Sequence, residues 1–236
     1  MQLKGVLFDL DGVIIDSVPL YYQANQMIAQ QIGVLFSNSL NDSLRGVSRT
    51  DVIEKLISLS PDPDKFTDDD KEQLGKKKNA YYQQSITKID KTLLLPGIEN
   101  LLKELQLAGI KIALASSSTN AQRVITQLGI DSYFDYIVDT KKIAKGKPNP
   151  AIFLDALSGI GQAAENCIGI EDGVAGIQAL NEMGVYTVGV GKLLAEQMKR
   201  HNLAINWLVE STEEIQMDCL LEKLASYSTD RTGMLR

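Results

Sequence analysis

Gly5-Val6-Leu7-Phe8-Asp9-Leu10-Asp11-Gly12 is the stretch whose reading decides the fold. A short apolar run that stops at a carboxylate predicts a buried parallel strand whose carboxyl end opens into a crevice. Open α/β sheets bind their ligands in such crevices. While the backbone stays extended, residues i and i+2 share a side. Asp9 and Asp11 would then repel by roughly 3 kcal/mol at about 5 Å in an effective dielectric near 20. A hard cation with oxygen ligands, such as Mg²⁺, offsets that repulsion most simply. An acidic pair alone also caps a turn or helix, so the rest of the chain must decide.

Downstream of Asp16-Ser17, the apolar residues Tyr21, Ala24, Ile28 and Ile32 recur at helical spacing. Gly33 follows as a C′ stop. A second helix is expected over Thr50–Leu59, with Ser48 as N-cap and Asp51 at the reciprocal position of a capping box. Ser60-Pro61-Asp62-Pro63 breaks it, and a third helix is expected over Asp68–Ser85. Residues 17–90 thus read as a helical block inserted after the first strand.

Beyond it the rhythm changes. Strands are expected at Ile110–Ala115, Tyr136–Val138, Cys167–Ile170 and Val185–Val190. They alternate with helices at Ile98–Ala108, Asn120–Leu128, Pro150–Leu157 and Gly173–Met183. That alternation predicts a parallel sheet with right-handed crossovers. Ser226–Arg236 lacks apolar periodicity and is expected to be a mobile tail.

Bulk properties narrow the function. The 236 residues suffice for one large domain or a core carrying an insert, and 44% apolar with 23% charged is ordinary globular composition. A net charge of −6 argues against a nucleic-acid partner. No apolar run approaches the roughly 20 residues of a membrane span, and no signal-peptide segment precedes the first strand. A cytoplasmic monomer acting on a small molecule is expected. Cys167 and Cys219 have neither metal-ligand nor disulfide spacing. His201, the single histidine, lies in a polar stretch and reads as a solvated helix-end residue, so histidine chemistry is not expected.

Three further signals fall where strands end. Ser116-Ser117-Ser118 stands between a strand and a helix, where hydroxyls and amides can bind phosphate. Lys147 sits in the loop Gly146-Lys147-Pro148-Asn149-Pro150, and Glu171-Asp172-Gly173 follows another strand. Singly, these are a serine-rich cap, a solvated lysine and an acidic N-cap. Together, a parallel sheet delivers all of them to one edge with Asp9 and Asp11. Four carboxylates around one cavity call for a divalent cation, with Lys147 offsetting residual charge.

With Asp9-Leu10-Asp11-Gly12-Val13, Ala115-Ser116-Ser117-Ser118, Lys147-Pro148 and Gly169-Ile170-Glu171-Asp172 in this order, the chain resembles the haloacid dehalogenase superfamily of aspartate-nucleophile phosphotransferases. Within it the likeness is greatest to the β-phosphoglucomutase family. That likeness includes Leu44-Arg45-Gly46-Val47-Ser48-Arg49, Lys78-Asn79 and Ala175-Gly176-Ile177-Gln178-Ala179. The resemblance implies a Rossmann-like α/β core (1–16 and 91–236) with an inserted α-helical cap (17–90). It implies a Mg²⁺-dependent sugar-phosphate mutase, or a phosphatase using the same residues. Asp9 would be nucleophile and Asp11 general acid and base, with metal held by Asp9, Asp11, Glu171 and Asp172. Substrate would be bound by Gly46, Val47, Ser48, Arg49, Lys78, Ser116, Ser117, Ser118, Asn120 and Lys147. Two positions depart from that family: Tyr21 replaces its usual histidine, and Thr119 replaces a lysine that helps hold a distal phosphate.

Overall fold

The computed structural model of the protein describes residues 2–44, 49–201 and 203–233. Gly46, Val47 and Ser48, with their expected substrate contacts and the expected Ser48 cap, lie outside the described residues. The chain packs as two compact units, Met1–Asp16 with Lys91–Arg236, and Ser17–Asp90. Among the described residues the first holds six strands: β1 (Gly5–Phe8), β2 (Lys111–Leu114), β3 (Tyr136–Ile137), β4 (Cys167–Glu171), β5 (Tyr186–Val190) and β6 (Trp207–Val209). They form one sheet in the order β3-β2-β1-β4-β5-β6, every pair parallel. Its centre, β1, β4 and β5, is buried residue by residue, which is why these strands read as unbroken apolar runs. Phe8 is level with Leu114 on one side and Ile170 on the other. The chain builds outward from β1 through β2 to β3, then returns to β4 on β1's other flank. The carboxyl ends of β1 and β4 therefore flank a topological switch point, where such sheets open a ligand crevice.

In the second unit, no described residue forms a strand. Its helices are α1 (Val18–Gln31), α2 (Asn38–Ser43), α3 (Arg49–Ser58) and α4 (Asp68–Ile86). Ile28 and Ala29 of α1, with Ile32 just past its end, pack with Val52, Ile53, Leu56 and Ile57 of α3 and Leu74 of α4. Thr67 caps α4 through a reciprocal capping box with Asp70. The short α2 has no apolar periodicity long enough to predict it.

Among the described residues, six α-helices complete the first unit: α5 (Ile98–Leu107), α6 (Ala121–Gln127), α7 (Ala151–Ile160), α8 (Val174–Glu182), α9 (Lys192–His201) and α10 (Met217–Gly233). On one side of the sheet Ile152, Phe153, Ala156 and Leu157 of α7 meet Leu7, Ala113, Cys167 and Leu180 in one buried cluster. The segment from Ser226, expected to be unstructured, instead continues α10 to Gly233. The reason is packing: Leu220 and Leu224 are buried, and Tyr227 meets the Tyr186 ring edge-on at 5.0 Å. Residues 220, 224 and 227 make a helical stripe that a window starting at 226 misses. No helix among the described residues is long and apolar enough to cross a membrane.

Candidate active site

The strand ends at Phe8 and the chain bends at Leu10. Asp9 and Asp11 therefore do not share a side of an extended strand, as their spacing had suggested. Other forces hold them. The Asp9 N–H donates to the Ile170 carbonyl at 3.0 Å, prolonging the β1–β4 ladder by one rung. The Asp11 N–H donates to Asp9 Oδ2 at 3.1 Å. Gly12 turns the chain at φ +81°, its N–H donates to Ile15 O at 2.9 Å, and Leu10, Val13, Ile14 and Ile15 are fully buried. A Cβ on Gly12 would lie 2.0 Å from Asp172 Oδ2. Only glycine allows both that turn and so close an approach of the loop to the Asp172 carboxylate.

Lys147 arrives from the loop before α7. Its Nζ lies 2.6 Å from Asp9 Oδ1 and 2.7 Å from Glu171 Oε2, and 4.8 Å from the centre of the buried Phe153 ring. Glu171, the last residue of β4, also accepts from the Asp172 and Gly173 N–H groups, at 3.1 and 3.0 Å. Its carboxylate thus closes onto the first turn of α8, whose dipole favours negative charge. Burial by itself would lower the Lys147 pKa, but the Asp9 and Glu171 charges outweigh it and raise it above the ordinary range. Burial and the neighbouring Asp9 charge outweigh the pull of Lys147 and the Gly173 N–H, and the Glu171 carboxyl is pushed up to about 7.

Asp9, Glu171 and Asp172 each offer a carboxylate oxygen, all within 4.8 Å of one another. This oxygen-only donor set suits a hard divalent cation. The side chain of Asp11 is not in that group, and Glu171 already serves Lys147 and two amides. Beyond β2, the Ser118 N–H donates to Ser116 Oγ at 3.1 Å and the Asn120 N–H to Ser118 Oγ at 3.3 Å. Ser116 and Asn120 are buried, whereas Ser117 points to solvent.

Arg49 and Lys78 belong to the helical unit. Arg49 opens α3 and is exposed, with its Cδ 3.8 Å from where a Gly75 Cβ would stand. Lys78 is buried in α4. Burial, and then the charge of Arg49, lower its pKa to about 8.

Sequence reasoning missed three supporting residues. Phe153 looked like any member of an apolar stripe, and Tyr82 likewise. Gly176 carried a signal, because a glycine in the first turn of a helix costs stability relative to alanine. Its missing Cβ would have been 1.9 Å from Glu171 Oε2.

A family model for haloacid dehalogenase-like hydrolases matches residues 3–184. The chain belongs to that family. It is 38% identical over 225 residues to the β-phosphoglucomutase of Bacillus subtilis strain 168, across 95% of this chain and 97% of that one. The solved structure of β-phosphoglucomutase from Clostridium difficile matches it with a TM-score of 0.87 and 36% identity, over 97% of this chain and 100% of that one. A phosphorylated carbohydrates phosphatase of Thermotoga maritima is 26% identical over 203 residues, 82% of this chain and 91% of that protein. As a haloacid dehalogenase-like protein the chain is an enzyme, and both mutase and phosphatase chemistry occur among proteins similar to it.

Proposed function

We propose that the protein is a Mg²⁺-dependent β-phosphoglucomutase interconverting β-D-glucose 1-phosphate and D-glucose 6-phosphate. The observation that carries this reading is likeness to a β-phosphoglucomutase over 95% of the chain, through the helical unit as well as the sheet. A Mg²⁺ held by Asp9, the Asp11 carbonyl and Asp172, with Glu171 beside it, would supply positive charge to the phosphoryl oxygens. The remaining steps belong to the protein's own groups. An Asp9 oxygen forms a bond to phosphorus while the bond from phosphorus to the donor oxygen breaks, giving an aspartyl-phosphate. Asp11 gives a proton to the leaving oxygen and later removes one from the attacking sugar hydroxyl. Lys147 and Ser116 stabilise the charge on the transferring group, the main task in phosphoryl transfer. Ser117, exposed beside Ser116, would add a polar contact there.

A mutase needs a second phosphate grip, since its intermediate is a glucose bisphosphate that rebinds in the opposite orientation. Arg49, Ser118 and Asn120 fill that role in this reading, a guanidinium being suited to bidentate phosphate contact. Residues 17–90 would act as a cap that excludes water while Asp9 carries phosphate. Phosphatase activity is the second reading, favoured by the Thermotoga maritima relative and by Tyr21 and Thr119. The test supplies β-glucose 1-phosphate, Mg²⁺ and trace β-glucose 1,6-bisphosphate and follows glucose 6-phosphate and inorganic phosphate together. Isomerisation should dominate. Phosphate release exceeding isomerisation would reject the mutase and leave the phosphatase.

A further inference from the structure

Lys78 is 7% exposed, and among the described residues it makes no hydrogen bond or ion pair. A buried ammonium normally finds a carboxylate or a carbonyl. Here the neighbours are aromatic and cationic. Its Nζ lies 5.7 Å from the centre of the Tyr21 ring, and that ring is itself stacked on Tyr82 at 4.5 Å and 15°. Lys78 and Tyr82 stand one turn apart on α4, so both meet the ring that α1 presents. The packing of Tyr82 against Tyr21 leaves that ring little freedom to turn.

We propose that Tyr21 is a positioning residue: its ring face, locked by the stack on Tyr82, holds the Lys78 ammonium so that the N–H donors stay available to the phosphate or hydroxyl oxygens of the sugar phosphate. The part concerning substrate rests on the proposed function; the part concerning the ring does not. An acceptor atom would occupy the donors and compete with a ligand. A ring face attracts the cation through its quadrupole and takes up no specific N–H. The phenol hydroxyl has no part in this, which separates the proposal from one in which Tyr21 acts as an acid or a hydrogen-bond partner.

The test follows the titration of Lys78 directly. ¹³C-dimethylated protein gives one resonance per lysine, and the Lys78 resonance is the one missing from Lys78→Arg. In Tyr21→Phe the resonance should titrate as in wild type. In Tyr21→Leu its midpoint should fall by about half to one pH unit, the size of a cation–π contact. Tyr21→Met, with a longer side chain, serves if the leucine variant does not fold. In steady-state kinetics Leu should raise KM for β-glucose 1-phosphate several-fold with a smaller change in kcat, and Phe should rescue it. An unmoved titration in Tyr21→Leu, or an equal fall in Tyr21→Phe, would overturn the proposal. A moved titration with wild-type KM would instead overturn the placement of Lys78 at the substrate.

Discussion

Replacing Gly176 by alanine should damage the site from beneath without touching a reacting group. The new Cβ would meet Glu171 Oε2 at 1.9 Å and Cδ at 2.1 Å. The end of an exposed glutamate could swing away, but Glu171 is 3% exposed and fixed by Lys147 and the Asp172 and Gly173 amides. Relieving the clash must displace it from at least one of these partners. Breaking a buried ion pair costs about 3–5 kcal/mol, and alanine's better helix propensity returns at most about 1 kcal/mol. The net expectation is a loss of about 2–4 kcal/mol. At about 2–4 °C per kcal/mol for a domain of this size, the melting temperature should fall by roughly 5–15 °C. Turnover of p-nitrophenyl phosphate should fall as well, because Lys147 loses one of its two anchors. Gly75→Ala is the internal contrast: its Cβ would meet only Arg49 Cδ, at an ordinary 3.8 Å, and it should stabilise by about 0.5–1 kcal/mol. A Gly176→Ala protein as stable and as active as wild type would refute the reasoning.

Lys78→Met should stabilise the protein near pH 7, most simply seen in urea melts run from pH 6 to 10.5. A fall from 10.5 to about 8 corresponds to at most roughly 3 kcal/mol at 1.36 kcal/mol per pH unit. The cost of the buried charge is present in full below pH 8. It is relieved between pH 8 and 10.5, where the unfolded chain holds the proton and the folded one does not. The advantage of methionine should therefore fade across that window, and an advantage independent of pH would contradict it. Arg49→Ala should cost several-fold to a hundred-fold in kcat/KM on the bisphosphate-dependent reaction and much less on p-nitrophenyl phosphate, which has one phosphate. Equal losses on both would assign Arg49 to the fold. Asp172→Ala should weaken Mg²⁺ binding and recover partly at high Mg²⁺, whereas a defect insensitive to Mg²⁺ concentration would remove it from the proposed metal set.

Much of the fold was legible because its central strands are buried on both faces. Gly5–Phe8, Ile112–Leu114 and Cys167–Ile170 can only be apolar where helices cover both sides. The edges were less legible. Trp207–Val209 has three residues and leaves Leu208 41% exposed, too short and too wet for a strand pattern. α10 was not legible because the stretch from Ser226 holds only Tyr227 of the stripe Leu220, Leu224 and Tyr227. In the candidate site, parallel topology explains why Asp9 and Lys147, 138 residues apart, can pair. What it could not give was the pairing itself, with Glu171 engaged by Lys147 and Asp11 absent from the carboxylate cluster. Nor could an i, i+2 rule foresee the bend at Leu10, which tertiary anchoring of Leu10 and Val13 imposes. The Tyr21–Tyr82 stack is a contact between helices, invisible to periodicity within either. Cys167, which has neither metal-ligand nor disulfide spacing, is buried, and burial pushes its thiol up to about 12.

The central claim is that an Asp9 oxygen attacks phosphorus. Asp9→Asn keeps the side chain's shape, its amide oxygen can still accept from Lys147, and Lys147 keeps its Glu171 partner, so the protein should fold. Measured on β-glucose 1-phosphate with Mg²⁺ and bisphosphate primer, the folded variant should form neither glucose 6-phosphate nor inorganic phosphate, because an amide cannot serve as that nucleophile. Near-normal formation of either product by folded Asp9→Asn would contradict the mechanism outright.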